Sequence, residues 1–141
     1  MDQLILTQDS SAFTGDAELI DALKARSTKL ELRSDRVLFR QGDRSKGIFL
    51  LEQGTAVLTM RSGARIAMQV VTGCGSVLGL PAAISGAPYS LTADVIDGTS
   101  VAFVTLEQLS ELMRTNPTLS LKLLHILAEE VRAARLALSA A

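Results

Sequence analysis

Among side chains that commonly carry chemistry, this 141-residue sequence holds one histidine, one cysteine and no tryptophan. Structural zinc takes four nitrogen or sulfur ligands and an iron–sulfur cluster takes four thiolates, so His125 and Cys74 cannot build either within one chain. Cys74 lies between Gly73 and Gly75 with no basic neighbour to favour a thiolate, and reads as an incidental loop thiol. His125 sits among leucines, with no serine–acid constellation around it, and reads as a surface or packed histidine. Glu129 and Glu130 are adjacent, but neighbours on a helix point about 100° apart. General acid–base catalysis needs groups that converge, so this pair reads as a solvated face. With no metal ligands and no catalytic set, an enzyme is not expected.

Composition narrows the classes further. The chain is 48% hydrophobic and 21% charged, which excludes intrinsic disorder. Lys and Arg number 14 against 15 Asp and Glu, so the net charge is −1. A stand-alone nucleic-acid binder usually carries a basic excess. One cysteine allows no internal disulfide and fits a reducing compartment. No run reaches the roughly 18 apolar residues of a membrane span. The first nine residues are acidic and too short in their apolar part for a signal peptide. These readings together predict a single cytoplasmic domain over residues 1–141.

The hydrophobic period gives the elements. Leu19, Ile20 and Leu23 mark a short amphipathic helix over Ala17–Arg26, with Asp16 as its cap. Lys29–Arg33 alternates as a strand, Arg36–Arg40 reads as another, and Gln41-Gly42-Asp43 as a turn. Gly47–Leu51 is a buried apolar run. Ala56, Leu58 and Met60 share one face of the next strand, and Ile66, Met68 and Val70 one face of its hairpin partner. Val77–Ile84 is short and apolar, with Pro81 inside it. Ser90–Ile96 and Ser100–Val104 are two further strands, turned at Asp97-Gly98. Strands recurring every roughly 8–12 residues signal an all-β sandwich or barrel. Thr105 caps a helix over Leu106–Thr115, Asn116-Pro117 breaks it, and a long helix follows to about Ala137.

In this order the residues resemble the cyclic-nucleotide-binding domain of the catabolite activator protein and Fnr (Crp/Fnr) superfamily. Four pieces carry the resemblance: Phe39-Arg40-Gln41-Gly42-Asp43, Ile48 to Gly54, Gly79 through Ala93, and Asn116-Pro117 before a leucine-rich helix. The resemblance implies an antiparallel β-roll of double-stranded β-helix (jelly-roll) type over about 29–104. One helix precedes the roll and two follow it, over about 105–137. It also implies a ligand-sensing regulatory domain.

Gly79 through Ala93 resembles the family's phosphate-binding cassette. There a short helix after glycine directs free N–H groups at the cyclic phosphate, an arginine neutralises it, and a glutamate accepts from the ribose. Here Leu80 stands at the glutamate position and Tyr89 at the arginine position. No other alignment restores them: Asp and Glu are absent from 53–93, and Lys and Arg from 66–113. The ligand-facing candidates are Gly79, Leu80, Pro81, Ala82, Ala83, Pro88, Tyr89, Ser90 and Thr92. Pro81 suits a first helical turn with or without a ligand role. Tyr89 either meets a ligand or packs over the loop and fills the arginine site. Ser90 and Thr92 either face a ligand or simply occupy a wet strand face. Restoring Glu at 80 and Arg at 89 is expected to raise cyclic-nucleotide affinity. The ligand is a cyclic nucleotide held in an unusual way or another small molecule.

In the last helix, Leu124, Leu127, Val131, Ala134 and Leu138 recur at spacings of 3, 4, 3 and 4, a coiled-coil seam. Leu119, Leu123 and Ile126 lie on another face and can cover the roll. Two apolar faces on one helix point to a homodimer. Neither direct nucleic-acid binding by this chain nor a membrane contact is expected. The alternative function is a protein-interaction or dimerisation module with a degenerate pocket.

Overall fold

The computed structural model of the chain describes residues 10–32 and 36–140. After a 3-10 turn at Ser10–Phe13, the elements are α1 (Ala17–Arg26), β1 (Thr28–Leu30), β2 (Val37–Phe39), β3 (Gly47–Gln53), β4 (Ala56–Ser62) and β5 (Arg65–Thr72). Then come β6 (Val77–Leu78), α2 (Leu80–Ser85), β7 (Thr92–Val95), β8 (Ser100–Thr105), α3 (Leu106–Thr115) and α4 (Pro117–Ala140). The strands form two antiparallel sheets in the orders β1-β8-β3-β6 and β2-β7-β4-β5. This is the expected β-roll flanked by helices.

The expected boundaries shift at a few points. The first strand is Thr28–Leu30 rather than Lys29–Arg33, and Arg33 lies outside the described residues. So do the first nine residues, read above as no signal peptide. The apolar run Val77–Ile84 divides into β6 and α2, because Gly79 adopts φ +87° between them and Pro81 falls in the first helical turn. In the hairpin, the register shifts between Met60 and Arg61. Ala67 is therefore buried and Ile66 only half-buried.

β3 explains its unbroken apolar run by being covered on both faces. Phe49 and Leu51 enter the core between the sheets, with Leu58, Val70, Ala93 and Val101. Ile48 and Leu50 face the other way, into a core shared with α1, α3 and α4. β8 alternates likewise, with Val101 between the sheets and Ala102 and Val104 under the helices. The helices are tied by their caps. Asp16 accepts from Leu19 N–H at 2.9 Å, and Thr105 and Gln108 form a reciprocal capping box. Lys122 on α4 donates to Asp16 at 2.5 Å and Glu18 at 2.7 Å. The Lys122 hydrogen bond, with that from Leu19 N–H, holds the Asp16 carboxyl below its ordinary range.

Candidate functional site

Gly79 opens the loop that the sequence singles out. A Cβ on it would lie 3.0 Å from Tyr89 Cε1, so only glycine lets the chain turn this close beneath the ring. The following residues diverge because α2 turns between two cores. Leu80 is wholly buried in the helix-side core with Leu19, Leu23 and Ile48, and Ala83 packs on the same cluster. Ala82 is buried in the core between the sheets.

Tyr89 packs over the loop. Its ring stacks on Phe39 with centroids 4.0 Å apart. Its hydroxyl donates to the Gly47 carbonyl at 3.1 Å and accepts from the Lys46 N–H at 3.3 Å. Its backbone N–H donates to Asp43 O at 2.9 Å, and its carbonyl accepts from Gly42 N–H at 2.8 Å. The side chain thus pins residues 42–47 to the cassette. The Thr92 hydroxyl accepts from Gln41 N–H at 2.9 Å, while Pro88 and Ser90 are exposed.

Gly79, Pro81, Ala82, Tyr89 and Ser90 do converge. They border a small cavity of about 10 Å³ together with Phe13, Phe39, Leu58, Leu78, Leu91 and Glu130. That is room for about one water, whereas ligand pockets usually measure roughly 300–1,000 Å³. Leu80, Ala83, Pro88 and Thr92 are not part of this lining. Leu80 points into the helix-side core, so a carboxylate placed there would be buried away from this cavity. On the far side of the Phe39–Tyr89 stack an open groove of about 500 Å³ carries Arg44, Lys46 and Asp43 beside Phe49 and Phe103.

Glu130 corrects the reading of a solvated Glu129–Glu130 face. Glu129 is half-buried and lies 3.9 Å from Arg132, whereas Glu130 is only 5% exposed and its Oε1 has no hydrogen-bond partner. Burial without a partner pushes its carboxyl well above the usual carboxylate range. The signal was present in the sequence. Leu119, Leu123 and Ile126 are the buried stripe of α4, and continuing their spacing of 4 and 3 by another 4 reaches residue 130. Cys74 is exposed and donates to Glu52 O at 3.1 Å, and His125 is exposed.

The residues of the expected seam on α4 do not share one face. Leu124, Val131 and Leu138 are 42%, 43% and 48% exposed. Leu127 instead packs against the helix-side core and Ala134 against the core between the sheets. The helix turns 3.6 residues per cycle, so a 3–4 stripe spreads around it once it follows a straight axis. Only the positions seven apart stay outward, joined by exposed Leu121.

A model of the cyclic nucleotide-binding domain family matches residues 29–116, more than half of the chain. Among solved structures, the catabolite activator protein of Thermus thermophilus superposes with a TM-score of 0.72 at 20% identity. The match covers 88% of this chain and 59% of that one. The c-di-GMP-responsive regulator CLP of Xanthomonas campestris gives 0.68 at 16% identity, covering 86% and 60%. The sensor domain of the regulator DNR from Pseudomonas aeruginosa gives 0.62 at 19% identity, covering 81% and 77%. The chain spans less than two thirds of the first two.

Proposed function

Since the chain belongs to the cyclic nucleotide-binding domain family, we propose that it is a ligand-sensing regulatory domain of Crp/Fnr type that does not hold cyclic AMP or cyclic GMP in the family's usual way. The observation that carries this reading is Tyr89. It stands where the family's arginine would neutralise the phosphate, it is 5% exposed, and its hydroxyl is committed to Gly47 and Lys46. The cavity beside it has room for about one water and no basic side chain on its wall. An anionic nucleotide would lose the arginine contact, and a hydrogen bond to a charged group contributes roughly 1.5–3 kcal/mol.

Helix α4 supplies the output. It carries Glu130 on its inner face and Leu124, Val131 and Leu138 on its outer face. A second copy of the chain covers that outer face in this reading, and a change at the cavity biases a two-state dimer. Direct contact with nucleic acid is not assigned to these residues. The second reading, an interaction module without a small ligand, draws on the outward apolar stripe alone.

Isothermal calorimetry of the full chain with cyclic AMP and cyclic GMP tests the proposal. No saturable heat at micromolar concentrations is the expected result. Low-micromolar binding of either nucleotide would overturn it.

A further inference from the structure

Among the described residues, Glu130 is the one charged side chain bordering the small cavity. Its Oε1 has neither a hydrogen-bond partner nor access to water. A buried acceptor in that position is matched by a donor brought from outside. The same wall holds three aromatic rings, Phe13, Phe39 and Tyr89. Carboxylates attract ammonium groups by ion pairing, here within an apolar wall whose Phe39 and Tyr89 rings stack on each other. Carboxylates repel phosphate. The space matches the head rather than the body of a ligand: about 10 Å³ admits one water-sized group, and exposed Ser90 lies on its rim. We propose that this cavity receives a primary ammonium group, either the free ion or the head of a small amine, held by the Glu130 carboxylate. The inference rests on the reading of the roll as a ligand sensor and names the ligand class of that site.

Binding has a proton balance. Without a partner the buried carboxyl is held well above the usual carboxylate range, because desolvation penalises its charged form and so favours the protonated one. As the ammonium enters, Glu130 releases that proton to solvent and pairs as carboxylate. One proton leaves for each ammonium bound, and the bound cation keeps its own protons, four on the free ion and three on an amine head. Among the described residues, no other charged side chain borders the wall. Tyr89 is the only other titratable lining group. The 3-10 turn at Ser10–Phe13 and α2 bring no charged residue, and β5 brings only exposed Arg65. The charges of α1 and α3 nearest α4 include Asp16 and Glu18, which are held by Lys122, and Glu111, which faces Arg26 at 4.0 Å. On α4 itself, Glu129 lies 3.9 Å from Arg132, and Arg135 is exposed.

Thermal-shift titration of the full chain with ammonium and methylammonium chloride decides the matter. Sodium and tetramethylammonium chloride at equal ionic strength are the controls. The expected result is a rise in midpoint with ammonium or methylammonium only, absent in Glu130→Gln and retained in Glu129→Gln. Apparent affinity should increase up to tenfold per pH unit while the carboxyl is protonated. Calorimetry of the unmutated protein in two buffers of different ionisation enthalpy should then show about one proton released per ion bound, whatever the fate of the variant. Equal shifts with sodium, an undiminished response in Glu130→Gln, or no proton release would overturn the inference. Tight cyclic AMP binding in a parallel arm would instead overturn the parent proposal, so the two failures are told apart.

Discussion

The cassette and the last helix distribute charge around the cavity in opposite ways. Residues 79–93 contain no charged side chain, and the position that resembles the family's glutamate is Leu80, wholly buried against α1. Helix α4 presents an otherwise apolar inner stripe, yet that stripe carries Glu130 into the cavity. The loop has become core, and the helix has taken the polar contact. A phosphate-binding loop must tighten before a neighbouring helix responds. In the proposed reading, a group carried on α4 itself shares its helix with the outer face that holds Leu124 and Val131.

The sharpest way to break this comparison is Leu80→Glu. If Leu80 is core, losing it costs roughly 2–5 kcal/mol, and the introduced charge adds a desolvation penalty. Against a typical total of about 5–15 kcal/mol, urea denaturation should show a severely weakened or unfolded protein. A well-folded Leu80→Glu with gained cyclic AMP affinity would return the cassette to its usual role. Tyr89→Phe comes next. It removes the donor to the Gly47 carbonyl and the acceptor for Lys46 N–H while keeping the Phe39 stack. The Gly47 carbonyl keeps the Ser45 hydroxyl at 3.5 Å, so the loss is that of ordinary hydrogen bonds, roughly 0.5–1.5 kcal/mol each, to be read from the same denaturation curves. A neutral outcome would mean that Tyr89 is not a structural peg.

Glu130 predicts a pH slope of unusual sign. Its folded carboxyl titrates above its unfolded value of about 4.3. The folded state then binds more protons, so stability is full below the unfolded pKa. It falls as pH rises towards the folded pKa and levels beyond it. The slope cannot exceed about 1.4 kcal/mol per pH unit for one group. Glu130→Gln should remove this contribution and be more stable than the unmutated chain at pH 8. Equal pH profiles for the two would show the carboxyl to be solvated.

The β-roll was legible because its strands alternate and its turns carry glycine. Neighbours in sequence report that pattern directly, and the caps at Asp16 and Thr105 follow from local chemistry in the same way. The site was half legible. Spacing located the loop from Gly79, but not which way each side chain turns. The direction of Leu80 is set by α1 packing from 57 or more residues away, and that of Tyr89 by Gly47 and Phe39. Glu130 was misread although the stripe of Leu119, Leu123 and Ile126 already ran to it.

The smallest effect on the folded chain belongs to the outer face of α4, and it separates the outward stripe from the expected seam. Leu124 and Val131 are 42% and 43% exposed, so Leu124→Glu with Val131→Glu removes little intramolecular packing. Surface changes of this kind usually alter stability by no more than about 0.5 kcal/mol. If a second copy covers the stripe, the pair nonetheless places like charges inside an apolar contact. Light scattering should then report monomer where the unmutated chain is a dimer, with the thermal midpoint of the monomer little changed. Leu127→Glu gives the contrast. Leu127 is half-buried and packs on the helix-side core, so its substitution should weaken the fold itself. If the unmutated chain is already monomeric at high concentration, or if the outer pair destabilises as much as Leu127→Glu does, the stripe is not a dimer face. Helix α4 would then lack an outward output, and a change at Glu130 would end within the domain.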